Sequence, residues 1–361
     1  MLTSSGRSSG LATSVRGAIL RTAKLRSDKR IILFAKLAIG LLVLLTVSRH
    51  AAKTWQDMRA SGGTIRVDPK WIALGILLYI AGLFVYGIYF WRVLRDSPTP
   101  VGVLPAMRAY AISHLGKYMP GKALVVVMRV GLVVPYRAGT VTAAFATLYE
   151  TLVMMASGGL IAAVGFIVAP TEPWRNLYGA DFEAALRGAW PMLLSAGLGV
   201  ALLGVVLPPI FPRISRMISA PLRGVDASAF PRMSNRLLLS GIGWSSLGWC
   251  LLGLSQVAVV WAVSPAGIAA ERWPMVIGSV ALATVAGFVV AVLPGGLGVR
   301  EGVLMATLAP AVGKDTAVLA ALMLRLTWVA GECLAALVLY FVRPPVPSLP
   351  MSLPLPEAPA S

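Results

Sequence analysis

The stretch from Leu293 to Leu304, "LPGGLGVREGVL", interrupts one of the most apolar parts of the chain. It begins at the end of nineteen uncharged and mostly apolar residues, "MVIGSVALATVAGFVVAVL" from Met275 to Leu293. A proline and two glycines then break the helix, and the next charged residues are Arg300 and Glu301. Because a helix needs roughly 20 apolar residues to cross a bilayer, the short and charged piece after the break does not predict a span of its own.

The simplest structure for this part of the chain is a re-entrant helical hairpin. Its arms are residues 275–293 and 297–312, and its tip contains Pro294, Gly295 and Gly296. Irregular backbone at membrane depth is tolerated only where protein or a wet cavity covers it. We therefore expect this tip to lie inside the protein, shielded from lipid.

A second stretch has the same form. Residues 104–134, "LPAMRAYAISHLGKYMPGKALVVVMRVGLVV", are apolar enough for a membrane but are broken at Pro120 and Gly121. The arms, 16 and 13 residues long, are too short to span at a rise of about 1.5 Å per residue. The pattern predicts another re-entrant hairpin, with its tip at the Pro-Gly pair.

Composition places the whole chain in a membrane. Of its 361 residues 57% are hydrophobic and 13% are charged, whereas a soluble domain is about a quarter charged. The net charge of +18 comes mostly from Lys and Arg that flank the apolar runs. Orientation and anionic lipid headgroups explain it better than nucleic acid, since no basic-aromatic module is present. Two Cys and two His are too few for a metal cluster, so we expect neither a metal nor a cofactor.

Besides the two hairpins, the apolar runs predict about six spanning helices. They cover residues 31–48, 71–91, 137–168, 189–211, 237–263 and 316–342.

Charge bias predicts the orientation of these spans. It places the basic linker 212–236 in the cytoplasm and the slightly acidic linker 170–188 outside. We expect residues 1–30 to be a basic, disordered cytoplasmic tail and residues 344–361 to be a Pro-rich, disordered tail. The net-positive segment 49–70 runs against the charge rule, so its side of the membrane is not predicted.

The spans and hairpins repeat with opposite topology. Within a transmembrane domain of residues 31–343, the segment of about 71–168 corresponds to the segment of about 237–342, and Pro120 lies 174 positions before Pro294. The predicted fold is therefore an all-α polytopic membrane protein whose two hairpins are arranged as an inverted repeat. Broken helices at matching positions of inverted halves are typical of a transporter with its site near the midplane.

Ionisable side chains inside these segments are candidates for function, because they are costly to insert. The candidates for binding substrate are Tyr110, His114, Lys117, Lys122, Arg129 and Arg300. The candidates for gating or ion pairs are Glu150, Glu301, Arg325 and Glu332. Cations gather near the helix breaks, where free N–H groups and positive dipole ends favour a phosphate. The alternative is structural: Glu150 would pair with Arg325 or Arg129 to hold the bundle together, and the hairpin cations would snorkel.

Two motifs resemble a known family. The pieces are "GKYMPGK" followed by Arg129 and a Glu in the next span, then "PGGLGVREG" followed by an Arg in the last span. They resemble the transmembrane domain of the bifunctional lysylphosphatidylglycerol synthases and of stand-alone proteins sharing that domain. The resemblance implies translocation of aminoacylated phosphatidylglycerol or another envelope lipid. Because the chain ends shortly after the last span, we expect a stand-alone member without the soluble synthase domain.

Residues and resemblance together favour a lipid flippase or lipid transporter, and not an enzyme. Its partner would be a membrane phospholipid or polyprenyl-type lipid, in a bacterial cytoplasmic (inner) membrane, with a homodimer as one possible assembly. An integral membrane transferase acting on a lipid carrier, a small-solute transporter and a structural membrane protein are the alternatives. The sequence has no Walker A motif, so we expect no ATP hydrolysis within the chain.

Overall fold

The structure is a computed structural model, and it describes residues 67–118, 123–170, 172, 182–220, 233–264, 266–290 and 298–346. All regular structure in these ranges is helical, which confirms the all-α prediction. The predicted tail 1–30, the first predicted span 31–48 and nearly all of the tail 344–361 lie outside the described residues. Both predicted hairpin tips and Lys122 also lie outside them.

The described ranges contain ten α-helices, which we number in chain order. They are α1 (Pro69–Arg95), α2 (Val103–His114), α3 (Ala123–Val133), α4 (Thr140–Val168), α5 (Phe182–Val206), α6 (Phe211–Ser219), α7 (Asn235–Val263), α8 (Trp273–Val289), α9 (Val299–Val312) and α10 (Lys314–Phe341). Short 3₁₀ turns extend three of them: Leu115–Tyr118 after α2, Val134–Tyr136 after α3 and Ala270–Arg272 before α8.

Six of the described helices are long and apolar enough to cross a membrane, so the chain is a multi-pass membrane protein. Five of these six coincide with predicted spans, with ends that differ by a few residues. The sixth, Ala270–Val289, is the first arm of the second predicted hairpin together with the turn before it. By contrast α2, α3 and α9 are only 12, 11 and 14 residues long. Short helices at these positions agree with the prediction that the broken stretches form arms too short to span the membrane.

Part of the basic linker predicted for residues 212–236 is helical instead. In α6 the side chains of Phe211, Ser215 and Ser219 are buried at intervals of four, while Arg213 and Arg216 are exposed. This is the pattern of an amphipathic surface helix. The arginines made the segment look like a loop, although they occupy only one face of the helix.

The most extensive helix contact joins α1 to α7, and glycines permit it. A Cβ atom added at Gly241 would lie 2.2 Å from the Tyr89 ring, and one added at Gly248 would lie 2.5 Å from the Tyr86 ring. Each tyrosine of α1 therefore packs directly over backbone of α7. Residues with side chains at those positions would push the two helices apart.

Hydrogen bonds group the helix ends at two opposite ends of the bundle. At one end the Tyr136 hydroxyl, just before α4 begins, donates to Pro344 O just after α10 ends, at 3.1 Å. At the other end the Arg272 guanidinium, before α8, donates to Ala311 O near the end of α9 at 2.8 Å. The end of α4 also lies there, since a Cβ at Gly165 would be 2.4 Å from Pro274 O. The paired helices α2–α3 and α8–α9 therefore have their outer ends on opposite sides of the bundle.

Two sets of four helices, α1–α4 and α7–α10, pack in corresponding ways. In the first set α1 contacts α2, α2 contacts α3, and α3 contacts α4. In the second set α7 contacts α8, α8 contacts α9, and α9 contacts α10. Across the sets, α4 packs on α7 and α8, and α10 packs on α1 and α2. A turn at Gly313, with φ of 86°, joins α9 directly to α10. The helices of the two sets enclose a common central space.

Candidate functional site

A cavity of about 360 Å³ lies between the two sets of helices. Five of the six residues predicted to bind substrate line it: Tyr110, His114, Lys117, Arg129 and Arg300. The sixth, Lys122, lies outside the described residues. Side chains more than 180 positions apart in the chain therefore meet at one cavity, and its volume is in the range of ligand sites (about 300–1,000 Å³).

A buried ion pair supports one wall of the cavity. Arg129 Nη1 of α3 lies 2.9 Å from Glu150 Oε2 of α4, and both side chains are almost fully buried. The Tyr110 hydroxyl donates to Glu150 Oε1 at 3.0 Å, and Arg129 Nε donates to Ser113 Oγ at 3.0 Å. The guanidinium also lies over the Tyr110 ring, 4.1 Å from its centroid. The sequence allowed either Arg325 or Arg129 as the partner of Glu150, and in the structure the partner is Arg129.

A second ion pair joins the 3₁₀ turn after α2 to the last helix. Lys117 Nζ lies 2.5 Å from Glu332 Oε1, and the Tyr79 hydroxyl of α1 donates to the same oxygen. His114 Nε2 lies 3.9 Å from that oxygen. Glu332 is fully buried, whereas Lys117 retains some exposure at the cavity. The cation therefore stands between the carboxylate and the open space.

The third ion pair lies at the start of α9. Arg325 of α10 pairs with Glu301, whose second oxygen accepts a hydrogen bond from the Gly298 N–H at 2.7 Å. Glu301 thus caps the helix that follows the predicted second break. The sequence analysis expected the free N–H groups at the start of this helix to bind a phosphate. One of them, the Gly298 N–H, instead donates to Glu301 of the protein itself. Neither Glu301 nor Arg325 is among the residues that line the cavity.

Arg300 differs from the other cations of the site. Its guanidinium lies 4.3 Å from the centroid of the Trp328 ring, and Tyr79 stacks on Trp328 at 4.6 Å. Among the described residues no carboxylate forms an ion pair with it, whereas Lys117, Arg129 and Arg325 each have one. A half-buried guanidinium held by an aromatic ring retains hydrogen-bond donors for a ligand.

The cavity is lined by both cations and apolar side chains. Lys117, Arg129 and Arg300 are among its lining residues, whereas the carboxylates of the three ion pairs are not. The aliphatic and aromatic lining is formed by Val125, Val126, Leu148, Leu152, Met155 and Phe288. The cavity therefore offers both cationic and apolar contacts to a ligand.

Sequence reasoning missed the aromatic part of the site. Tyr79, Tyr86, Trp249 and Trp328 line the cavity, and Tyr86 has a buried hydroxyl without a hydrogen-bond partner among the described residues. A usable signal was present in α1, because Tyr79, Tyr86 and Phe90 recur at intervals of seven and four and so share one face. Aromatic residues in a span are common as packing, and this spacing alone does not distinguish a cavity wall from a core.

Fold and site together define a class: a polytopic helical membrane protein with a charged, partly apolar cavity at its centre. A family model described as the lysylphosphatidylglycerol synthase TM region matches residues 33–331. The chain therefore belongs to this family, which confirms the resemblance of its two motifs. No curated protein shows significant similarity to the chain. Membership indicates a function related to membrane lipids.

Proposed function

We propose that the protein is a lipid flippase or lipid transporter that moves an anionic lipid between the leaflets of the membrane. It would hold the headgroup in the central cavity while the acyl chains remain in the bilayer. In this proposal the protein is not an enzyme and needs no cofactor, and it resides in a bacterial cytoplasmic membrane.

One observation carries the proposal: a single cavity is lined by both cations and apolar side chains. Lys117, Arg129 and Arg300 suit a phosphate, for which Arg offers paired donors. Leu148 and Leu152 suit hydrocarbon. A lipid presents this combination of phosphate and hydrocarbon. A fully hydrated solute would leave the apolar lining without a partner, which disfavours the small-solute alternative.

The arrangement of the helix pairs supports alternating access. The outer ends of α2–α3 and of α8–α9 lie at opposite ends of the bundle, and the packing of the two helix sets corresponds pair by pair. We take both pairs as re-entrant hairpins of an inverted repeat, so that α8 enters from the outside without crossing. Rocking of one repeat against the other would then open the cavity to one leaflet at a time.

The ion pairs supply the parts that rearrange. In our mechanism the phosphate first meets Arg300, since this cation has no carboxylate partner among the described residues. Lys117 and Arg129 then share their donors between the phosphate and their glutamates, and the Arg325–Glu301 pair holds the second hairpin. Lys122 remains a predicted member of the same phosphate site. With no Walker A motif in the chain, an ion gradient, the membrane potential or downhill exchange would drive the cycle.

A transferase acting on a lipid carrier is the second candidate. General acid–base catalysis would need a carboxylate that reaches the substrate. In the described part of the chain Glu150, Glu301 and Glu332 are each bound to a cation and are not among the cavity-lining residues. This arrangement favours transport over transfer.

The decisive experiment measures translocation of an acyl-labelled phosphatidylglycerol in proteoliposomes, with a membrane-impermeant quencher of the label. We expect Arg300→Gln to slow translocation tenfold or more while leaving the thermal stability in detergent unchanged. Arg213→Gln is the matched control, because Arg213 is exposed on α6 and is not among the cavity-lining residues. Wild-type rates for Arg300→Gln would show that the cation is structural and would refute the mechanism.

A further inference from the structure

We infer, on the basis of the proposed function, that the headgroup taken by this cavity is a phosphate without any cationic group. Phosphatidylglycerol, phosphatidic acid and an isoprenoid phosphate share that chemistry, whereas an aminoacylated headgroup with its ammonium does not. The inference narrows the substrate class and departs from what the family's name suggests. Its basis is that the carboxylates near the cavity, and two of its aromatic rings, are already bound by cations of the protein.

No carboxylate among the described residues is available to an ammonium in the cavity. Glu150 is bound by Arg129 and Tyr110, and Glu332 by Lys117 and Tyr79. One oxygen of Glu332, Oε2, has no hydrogen-bond partner, but this atom is fully buried. A ligand ammonium would have to displace Lys117 to reach it.

The two hairpin tips do not supply the missing carboxylate. Residues 119–122 read "MPGK" and residues 291–297 read "AVLPGGL". They contribute one further cation, Lys122, and no Asp or Glu. The two segments therefore bring no carboxylate of their own.

Aromatic rings can also hold an ammonium, but two of the rings that line the cavity already carry protein cations. Trp328 has Arg300 on its ring at 4.3 Å and Tyr79 stacked at 4.6 Å. Tyr110 has Arg129 on its ring at 4.1 Å. A ligand cation would therefore meet a protein cation at each of these two rings.

The cations of the site supply the selectivity. Lys117, Arg129 and Arg300 line the cavity, and no carboxylate among the described residues does. These cations attract a phosphate and repel an ammonium. Selectivity then has both an attractive and a repulsive source.

The test compares binding and transport of four lipids by the full-length purified protein. Dioctanoyl forms of phosphatidylglycerol, phosphatidic acid, lysyl-phosphatidylglycerol and phosphatidylcholine are titrated onto the protein in detergent, and acyl-labelled forms are assayed in proteoliposomes. We expect the first two lipids to bind at least tenfold more tightly than the last two. Equal or tighter binding of lysyl-phosphatidylglycerol would overturn the inference. A difference between phosphatidic acid and phosphatidylglycerol would separate recognition of a bare phosphate from recognition of glycerol as well.

The two assays separate this inference from the proposed function. Selective binding without translocation of any lipid would support the headgroup assignment and refute the flippase. Translocation of all four lipids at similar rates would support the flippase and refute the assignment.

A carboxylate placed on the cavity wall provides a gain-of-function test. Thr284 of α8 lines the cavity, and its hydroxyl bonds only within its own helix, to Val280 O at 2.8 Å. We expect Thr284→Glu to raise the affinity for lysyl-phosphatidylglycerol tenfold or more relative to phosphatidylglycerol. Thr284→Gln, of similar size and without charge, should keep the wild-type order of preference. An unchanged order in a folded Thr284→Glu protein would refute the inference, and if that variant does not fold the wild-type comparison decides.

Discussion

Arg129 and Glu150 form a salt bridge at 2.9 Å between α3 and α4, with 2% and 1% of their side-chain surfaces exposed. The pair joins the short helix α3 to the long helix that follows it. Removing one member would leave the other as a buried charge without compensation, which typically costs about 3–5 kcal/mol. The pair therefore stabilises the fold as well as shaping the cavity.

The first prediction follows from this pair. Glu150→Gln should lower the stability of the protein by about 3–5 kcal/mol, because it leaves the Arg129 guanidinium buried without a countercharge. Thermal unfolding in detergent, followed by tryptophan fluorescence, measures the effect. The double variant Arg129→Met/Glu150→Leu should recover most of the stability while remaining inactive in lipid translocation. Wild-type stability for Glu150→Gln alone would contradict the assignment of a buried ion pair.

The second prediction concerns the hydroxyl of Tyr79. Tyr79→Phe removes a donor to the fully buried Glu332 and leaves the ring on Trp328 in place. A hydrogen bond to a charged group is worth about 1.5–3 kcal/mol, so we expect a loss of stability of that size. Tyr340→Phe on α10 is the control, since that ring is 48% exposed. Equal unfolding temperatures for the two variants would count against the described Glu332 network.

The extent to which the sequence predicted this structure depends on the kind of feature. Apolar runs and the breaks at Pro-Gly predicted most of the helices, because length and hydropathy are local properties. The same local reading missed α6, whose arginines lie on a single exposed face. It also identified the charged residues of the cavity, because a charge in an apolar segment is conspicuous on its own.

The partners of Arg325 and Glu332 could not be predicted from the sequence. Arg325 and Glu332 are seven residues apart on one helix, yet Arg325 pairs with Glu301 and Glu332 with Lys117. Pairing depends on which helices pack together and on how far one is shifted along the other. The spacing of residues within one helix determines neither of these. For the same reason Tyr79 and Tyr86 appeared to be ordinary residues of a span.

The third prediction tests how closely α4 and α5 approach. A Cβ added at Gly159 would lie 2.5 Å from Gly199 Cα, whereas one added at Gly197 would meet nothing within 4 Å. Gly159→Ala should therefore destabilise the protein by about 1–3 kcal/mol, because the two backbones must separate. Gly197→Ala should be neutral or stabilising by about 0.5–1 kcal/mol, as expected for a helix interior. The unfolding temperatures of both variants give the comparison, and the same sign for both would be inconsistent with the close contact.

The fourth prediction is the topology, and it rests on charge bias and on taking α8–α9 as a hairpin. Single cysteines at Glu172, Met217 and Val346 are introduced after replacing Cys250 and Cys333 by Ser and Ala. All three positions are exposed, so differences in labelling report the side of the membrane. A membrane-impermeant maleimide should label Glu172→Cys in intact cells, and should label Met217→Cys and Val346→Cys only after permeabilisation. If Val346→Cys reacts from outside while Met217→Cys does not, the number of crossings after α7 is even. In that case the second hairpin does not exist as proposed, and the inverted repeat must be abandoned with it.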